Sequence, residues 1–435
     1  MISLGTTHTP ITIASILGKD ERQTRSIANI RQAGELLGIA REHIEDLINP
    51  QDVHVFRLHT NMLGEPITVW GCTSFHNKAR GFYKGGIRIS PDVTIWETIE
   101  LSRLMTLKTA LTELEMGGAK TGINFDVKAM YARFNKQGYD PEFERQIKRS
   151  IMKEYAHHYR GMLEKRRYVP APDYGTGPDE MVAIYNETHE PSSVTGKPEG
   201  ISGWLPGRTE ATGYGVAAVI QQLLPQLGKA PEEVTVSIQG FGNVGSYTAL
   251  YLHQLGVKVV AVADKEGGVY QPKGLEIPAL IQYARETGSV KGFAAKFTNN
   301  EMYCLPVDVF VPAANNDTIT ANVARRLQAR YIVEGANFPV MLDAQAILTQ
   351  RNITVIPDIL ANAGGVIASA EEFAHSVSTA KCRKEDIQAL ITAKMTENMQ
   401  TALAEAEHYH ISLDLACTLI AVKRVYQTMR QRGWV

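Results

Sequence analysis

The chain has 435 residues, 44% apolar and 21% charged, which excludes a disordered polypeptide and suffices for two or three domains with cores of their own. Its 45 basic residues against 46 acidic ones leave a formal charge of −1. No global basic field speaks for nucleic acid, and the expected partner is a small molecule.

Residues 21–48 carry apolar side chains at near-helical spacing and predict one helix. Residues 53–75 alternate around a Leu63-Gly64-Glu65-Pro66 turn and predict a hairpin. Gly81, Gly85 and Gly86 then break the pattern. A helix follows over 94–114, ended by a glycine turn at Met116-Gly117-Gly118-Ala119-Lys120. Residues 141–166 predict a helix with a charged, solvated face. Residues 166–180 read as a Pro/Gly loop, 179–187 as a helix, and 188–208, rich in Pro, Gly, Ser and Thr, as a linker.

Beyond the linker the pattern changes. A helix over 210–224 leads to a strand at 234–239, a glycine turn, a helix over 244–255 and a strand at 257–264. Further strands at 307–314, 329–337 and 352–358 have helices between them, the signature of a parallel α/β sheet. After Asn362 the chain is helical at 366–378, 384–407 and 412–431. The expected fold is α/β: a first domain with a mixed sheet (1–205), a Rossmann-like doubly wound domain (206–360), and a helical C-terminal segment (361–435) packing back on the first.

Cys72, Cys304, Cys382 and Cys417 share no CxxC spacing and join no Cys/His cluster, so free thiols and no metal are expected. No stretch approaches the roughly 18 apolar residues of a membrane span, and the first residues lack the basic-then-apolar order of a signal peptide. A cytoplasmic location is expected.

GFGNVG places Gly240, Gly242 and Gly245 between a strand and a helix inside a βαβ unit, the context that gives a GxGxxG its meaning. Gly240 permits the tight turn, Gly242 lets a pyrophosphate approach the backbone, and Gly245 lets helix and strand pack closely. Asp264, 24 residues after Gly240, stands where an acid meets ribose hydroxyls and favours NAD; Lys265 beside it suits the 2′-phosphate of NADP. The balance leans to NAD.

Three lysines have unusual surroundings: Lys84 and Lys120 among glycines, Lys108 inside an apolar helix. Converging on one cleft they would suit a dicarboxylate, and burial with mutual repulsion would pull a lysine toward neutrality, as acid–base work needs. Asp173, in VPAPDYGTG, is the candidate proton partner; its ordinary role would be an Asx turn before Gly175.

KGGIR, the Lys108-Thr109-Ala110-Leu111 helix, GGAK, PAPD, GRTEATGYGV, GFGNVG, VPAAN, VEGAN, PDILANAGGV and RGWV occur in this order from about residue 25 to Val435. In this the chain resembles the glutamate dehydrogenase family. The resemblance implies that Lys84 and Ser369 hold the side-chain carboxylate of glutamate and Lys108 the α-carboxylate. It makes Lys120 the catalytic lysine and Asp173 the acid–base at nitrogen. Thr212, Asn243 and Val244 fall where the family contacts the cofactor, and Asn315 and Asn337 near the nicotinamide and its ribose. It further implies reversible NAD(P)-dependent conversion of L-glutamate to 2-oxoglutarate and ammonium, with the first domain binding substrate and assembling a homohexamer.

The chain departs from the family pattern in three places: GANFPVMLDA (335–344) for GANGPTTPEA, AEEFAHSVS (370–378) without the family's Trp, and SGWLPGR (202–208) for GGS before GR. Two other readings stand beside the main one: an amino-acid dehydrogenase of altered substrate, and a non-catalytic regulatory subunit of a paralogous enzyme.

Overall fold

The computed structural model describes residues 24–435 except Leu63, Asn315 and Lys381, and omits the side chain of Asn299. The alternating stretch forms the expected hairpin: β1 (Asp52–Met62) and β2 (Glu65–Asn77) pair antiparallel from Asp52↔Phe75 to Met62↔Glu65. With β3 (Tyr83–Ser90), β4 (Gly117–Asn124) and β5 (Tyr168–Pro172) they make a five-stranded mixed sheet in the order β1-β2-β4-β3-β5. β3 runs parallel to both β4 and β5, and β2 antiparallel to β4.

Three of these strands correct the sequence expectation. The glycines at 85–86 and 117–118 lie inside β3 and β4, not in turns. A Cβ on Gly85 would overlap the Ala119 carbonyl of the neighbouring strand, and one on Gly118 would overlap Thr106 of the helix above. The missing side chains therefore serve close packing. The stretch read as a Pro/Gly loop contains β5, whose prolines are tolerated because it is an edge strand.

The helix expected over 21–48 is two: α1 (Arg25–Leu36) and α2 (Arg41–Ile48). Residues 21–23 lie outside the described part. Gly38, at φ +66, ends α1, and the Ile39 N–H closes back on the Gly34 carbonyl at 2.9 Å. α3 (Ile95–Leu111) starts at Thr94, whose hydroxyl accepts from the Glu97 N–H, and is buried on nearly every side. α4 (Pro141–Glu164), capped by Asp140, turns a charged face to solvent and packs Phe143, Ile147, Ile151 and Tyr155 under the sheet. α5 (Pro178–Thr188) follows.

Residues 189–208 form no helix or strand, yet Ser192 to Lys197 are buried. The composition of a linker here covers a packed segment. Its polar groups find partners inside, as where Ser193 meets Thr188 at 2.8 Å.

The second sheet has seven strands in the order β12-β11-β10-β6-β7-β8-β9. β6 (Thr235–Gln239), β7 (Lys258–Asp264), β10 (Val309–Pro312), β11 (Tyr331–Val333) and β12 (Thr354–Ile356) are parallel. β8 (Gly267–Tyr270) and β9 (Ala295–Phe297) add an antiparallel edge that the sequence reading missed, because both are short and one opens on Gly-Gly. β6 is flanked by β7 on one side and β10 on the other, so the chain reverses its direction of travel there, the usual place for a crevice at the strands' carboxyl ends.

α6 (Ala211–Leu227) and α7 (Asn243–Gln254) pack together over this sheet. The C-terminal helices are α8 (Gly364–His375), α9 (Lys384–Tyr409) and α10 (Leu413–Gln431). α10 returns to α1 and α3, as expected. One apolar core runs from α1–α3 through α6–α10 to the second sheet. A buried ionic knot reinforces the return: Arg25 donates to Glu334 at 2.6 and 3.0 Å and to Asp414 at 2.9 and 3.0 Å. Among the described residues no helix is long and apolar enough to cross a membrane, and no group of three His, Cys, Asp or Glu could hold a metal ion.

Candidate active site

Between the two sheets lies a cleft of about 2190 Å³. Lys84 on β3, Lys120 on β4, Lys108 on α3, Asp173 just past β5 and Ser369 on α8 all line it. From the other side come Gly240, Gly242, Asn243 and Val244, with Thr212 and Asn337. Thus the topology gathers residues from 84 to 369 into one space.

The first-sheet wall is built from buried charge. Lys120 donates to one oxygen of Asp173, while Arg88 Nε donates to the other at 3.0 Å and also pairs with Glu97. Burial alone would raise the Asp173 carboxyl; the neighbouring Lys120 and Arg88 overcome it and hold the group well below the usual carboxylate range. The carboxylate thus faces two cations in the cleft, beyond the local turn role its sequence allows.

All three lysines are displaced downward, as expected, but burial is the leading cause and repulsion secondary. Burial lowers Lys120 against the opposing pull of Asp173. Lys108 is pushed down to about 8 by burial, with the Asp358 charge resisting. Lys84 lies well below the ordinary lysine value, lowered by burial and Arg208 and supported by Glu372. Lys108 Nζ donates to Asn362 Oδ1 at 2.6 Å and to Asn337 Oδ1 at 3.1 Å, linking α3 to the second sheet. Ser369 Oγ meets Thr195 Oγ1 at 2.6 Å.

The second-sheet wall is built from missing side chains. Gly240 sits at φ +98, with the Ala313 carbonyl oxygen 2.6 Å from where a Cβ would stand. A Cβ on Gly245 would overlap the Gly240 carbonyl. A Cβ on Gly242 would meet nothing within 4 Å, so the space beside it opens to the cleft. Gly242 is also the N-cap of α7 and offers no side-chain cap, which leaves the first N–H groups of that helix to a ligand. These features fit a dinucleotide pyrophosphate. Asn243 Nδ2 donates to the Thr209 carbonyl at 2.7 Å and so braces the turn.

One expected cofactor residue is not brought to this wall. Asp264 ends β7 outside the cleft lining, its carboxylate accepting from the Glu266 N–H at 2.8 Å, the Ser289 hydroxyl at 2.8 Å and the Val290 N–H at 2.7 Å. Asn315 lies outside the described residues.

The residues alone did not single out Arg88 or Asn362, although both stand in the motifs KGGIR and PDILANAGGV. They also passed over Glu372, which lies in a segment noted only as a departure. In that segment Phe373 packs on Phe82 with ring centroids 4.5 Å apart. In the other departure, Phe338 takes the left-handed φ of +47 and its N–H donates to Asp358 at 2.8 Å.

A glycine-turn nucleotide sheet facing a wall of buried lysines defines an oxidoreductase of the amino-acid dehydrogenase class. The chain belongs to the Glutamate/Leucine/Phenylalanine/Valine dehydrogenase family, whose model matches residues 203–433, with the family's dimerisation domain matching 50–190. It is 36% identical to a glutamate dehydrogenase of Aeropyrum pernix over 94% of this chain and 97% of that one. Identity is again 36% to an NADP-specific glutamate dehydrogenase of Saccharolobus shibatae, over 94% and 96%. Among solved structures, the Leu-bound hetero-hexameric glutamate dehydrogenase of Thermus thermophilus superposes with a TM-score of 0.86 at 29% identity, covering 94% of this chain and 96% of that one.

Proposed function

We propose that this chain is a glutamate dehydrogenase, converting L-glutamate reversibly to 2-oxoglutarate and ammonium with NAD or NADP. The observation that carries this is the uneven pairing of the buried lysines. Lys120 is matched by Asp173, whereas Lys84 and Lys108 face the cleft without a carboxylate hydrogen-bonded to either among the described residues. Two ammonium groups awaiting two carboxylates describe a dicarboxylic amino acid. Lys108 takes the α-carboxylate; Lys84, with Ser369, takes the side-chain carboxylate. An apolar side chain would leave the Lys84 charge buried and unanswered, at a cost of several kcal/mol.

When bound, the nicotinamide supplies the hydride chemistry at the substrate α-carbon. Thr212, Asn243, Val244 and the turn of Gly240, Gly242 and Gly245 would hold its dinucleotide, with Asn337 toward the nicotinamide ribose. Asn315 is assigned there on the motif alone. Once the hydride has left the α-carbon, Lys120, lowered by burial, takes the proton of a water that adds to the resulting C=N carbon, and the C–N bond then breaks to release ammonium and 2-oxoglutarate. Asp173, kept anionic by Lys120 and Arg88, moves protons at the substrate nitrogen. Of the two dinucleotides NAD is slightly favoured, on the position of Asp264 after the glycine turn, while Lys265 beside it suits the 2′-phosphate of NADP.

Residues 1–205 then bind substrate and assemble the oligomer, 206–360 hold the dinucleotide, and 361–435 return to the first domain. The assembly is a hexamer of identical chains in the cytoplasm. The test is oxidation of NADH and of NADPH, in parallel, by purified protein with 2-oxoglutarate and ammonium. Rapid oxidation supports the reading; its absence in folded protein that binds cofactor rejects it.

A second reading is favoured by one observation: a close structural neighbour is hetero-hexameric. Such an assembly admits a subunit that modulates a catalytic paralogue. Intact Lys120 and Asp173 speak against that here. Turnover by this chain alone separates the two.

A further inference from the structure

Behind Lys84 lies a buried ion cluster that none of these roles uses. Glu372, three residues past Ser369 on α8, is fully buried. Its carboxylate accepts the N–H of Gly196 at 2.6 Å and of Lys197 at 3.1 Å, and stands 3.2 Å from Lys197 Nζ and 3.6 Å from Arg208 Nε. Lys197 Nζ is further committed to the carbonyls of Pro191 at 2.9 Å and Val194 at 2.7 Å. Arg208 Nε is buried and finds no hydrogen-bond partner among the described residues, and Arg208 lines the cleft together with Lys84.

The charges facing one another here come from four elements. Lys84 comes from β3, Lys197 and Arg208 from the 189–208 segment, Glu372 from α8, and Lys120 from β4, the last already paired with Asp173. Among the largest influences on Lys84, Glu372 is the anion that supports its charge. It also ties the helix bearing Ser369 to the segment bearing Thr195, the two hydroxyls that meet at 2.6 Å.

We propose that Glu372 is a positioning residue for the dicarboxylate: from behind the pocket its carboxylate ties α8 to the 189–208 segment, holds Ser369, Thr195 and Arg208 in register and places a negative charge on the far side of the lysine wall, without touching substrate. This rests on the glutamate reading above. A brace that only held the loop would need the shape of Glu372 but not its charge. A charge-setting residue needs both.

Glu372→Gln separates these, because Gln keeps the reach and an acceptor oxygen for one of the two N–H groups, Gly196 at Oε2 or Lys197 at Oε1, while removing the charge. The probe is glutarate, a dicarboxylate with no reacting group, titrated calorimetrically across pH, with 2-oxoglutarate kinetics alongside. The expected result is an alkaline limb of glutarate binding about one pH unit lower, hence binding weakened about tenfold above that limb, and an unchanged KM for the dinucleotide. A limb left in place, whatever happens to the melting temperature, overturns the proposal. If the Gln variant does not fold, Lys197→Gln decides. Removing that cation takes away its own repulsion of Lys84 and leaves the Glu372 charge less compensated, so the limb moves upward; an unmoved limb overturns the proposal. Wild-type protein that neither binds glutarate nor turns over 2-oxoglutarate would fail the functional reading itself, a different result from a wild type that does both beside an unaltered Gln variant.

Discussion

The two walls of the cleft solve opposite problems. The first-sheet wall places Lys84, Lys108 and Lys120 where burial penalises their charge, and answers that penalty with carboxylates, amides and the substrate expected there. The second-sheet wall carries little charge. It works by having no side chain at Gly240, Gly242 and Gly245 and by leaving helix N–H groups unpaired at α7. Side-chain charge reads a particular small anion and is sensitive to pH. Backbone dipoles hold a phosphate at any pH, and steric change rather than titration disturbs them.

That contrast breaks most visibly at the proton-handling pair. Lys120→Ala should lower kcat by about 10³-fold, within the usual range for removing an acid–base group, while dinucleotide binding measured by fluorescence stays as in wild type. Equal loss of both would mean that the walls are not separable. Lys84→Leu comes next. Turnover of glutamate, as kcat/KM, should fall by roughly 10²-fold, and that of an apolar amino acid should fall far less or rise, since the apolar side chain no longer meets a buried ammonium. A parallel fall for both substrates would remove Lys84 from the selection of substrate.

On the opposite wall the effect is steric. Gly245→Ala would force a Cβ into the Gly240 carbonyl, between strand and helix backbones that have little freedom to part. Unfolding in urea should show a loss of about 2 kcal/mol, the scale of overpacking at a tight contact. Gly242→Ala meets open space and should leave stability unchanged while weakening dinucleotide binding. If the two variants behave alike, the glycines do not divide the work as proposed.

Glycine is also where the sequence was hardest to read. A glycine that permits a turn and one that permits close packing look the same in one dimension. GFGNVG was legible because a strand and a helix flank it, and β6, α7 and β7 fall where expected. KGGIR and GGAK read as breaks because the atoms that demand glycine there, the Ala119 carbonyl and Thr106, come from other elements. The segment 188–208 misled for a related reason: its polar side chains satisfy one another and Glu372 inside the protein, and composition cannot show that. Among site residues, the lysines and Asp173 stood out by their surroundings. Arg88 and Asn362 did not, because their role is to partner Asp173 and Lys108 across 85 and 254 positions of chain.

The mildest test concerns Lys108, whose ammonium is pushed down to about 8 from the ordinary 10.5. A lysine is cationic below its pKa, so the attraction for the α-carboxylate is complete below about pH 8 and fades as pH rises through it. Affinity for a monocarboxylate such as propionate, which needs Lys108 more than Lys84, should then fall by up to about tenfold per pH unit above that point. Dinucleotide affinity over the same range should stay flat, since phosphates and backbone N–H groups do not titrate there. Lys108→Arg keeps the charge at every accessible pH. Its propionate binding should lose the alkaline limb even if the longer side chain weakens binding throughout. A limb that persists in the Arg variant would assign the titration to another group and leave Lys108 a hydrogen-bond donor whose charge is immaterial.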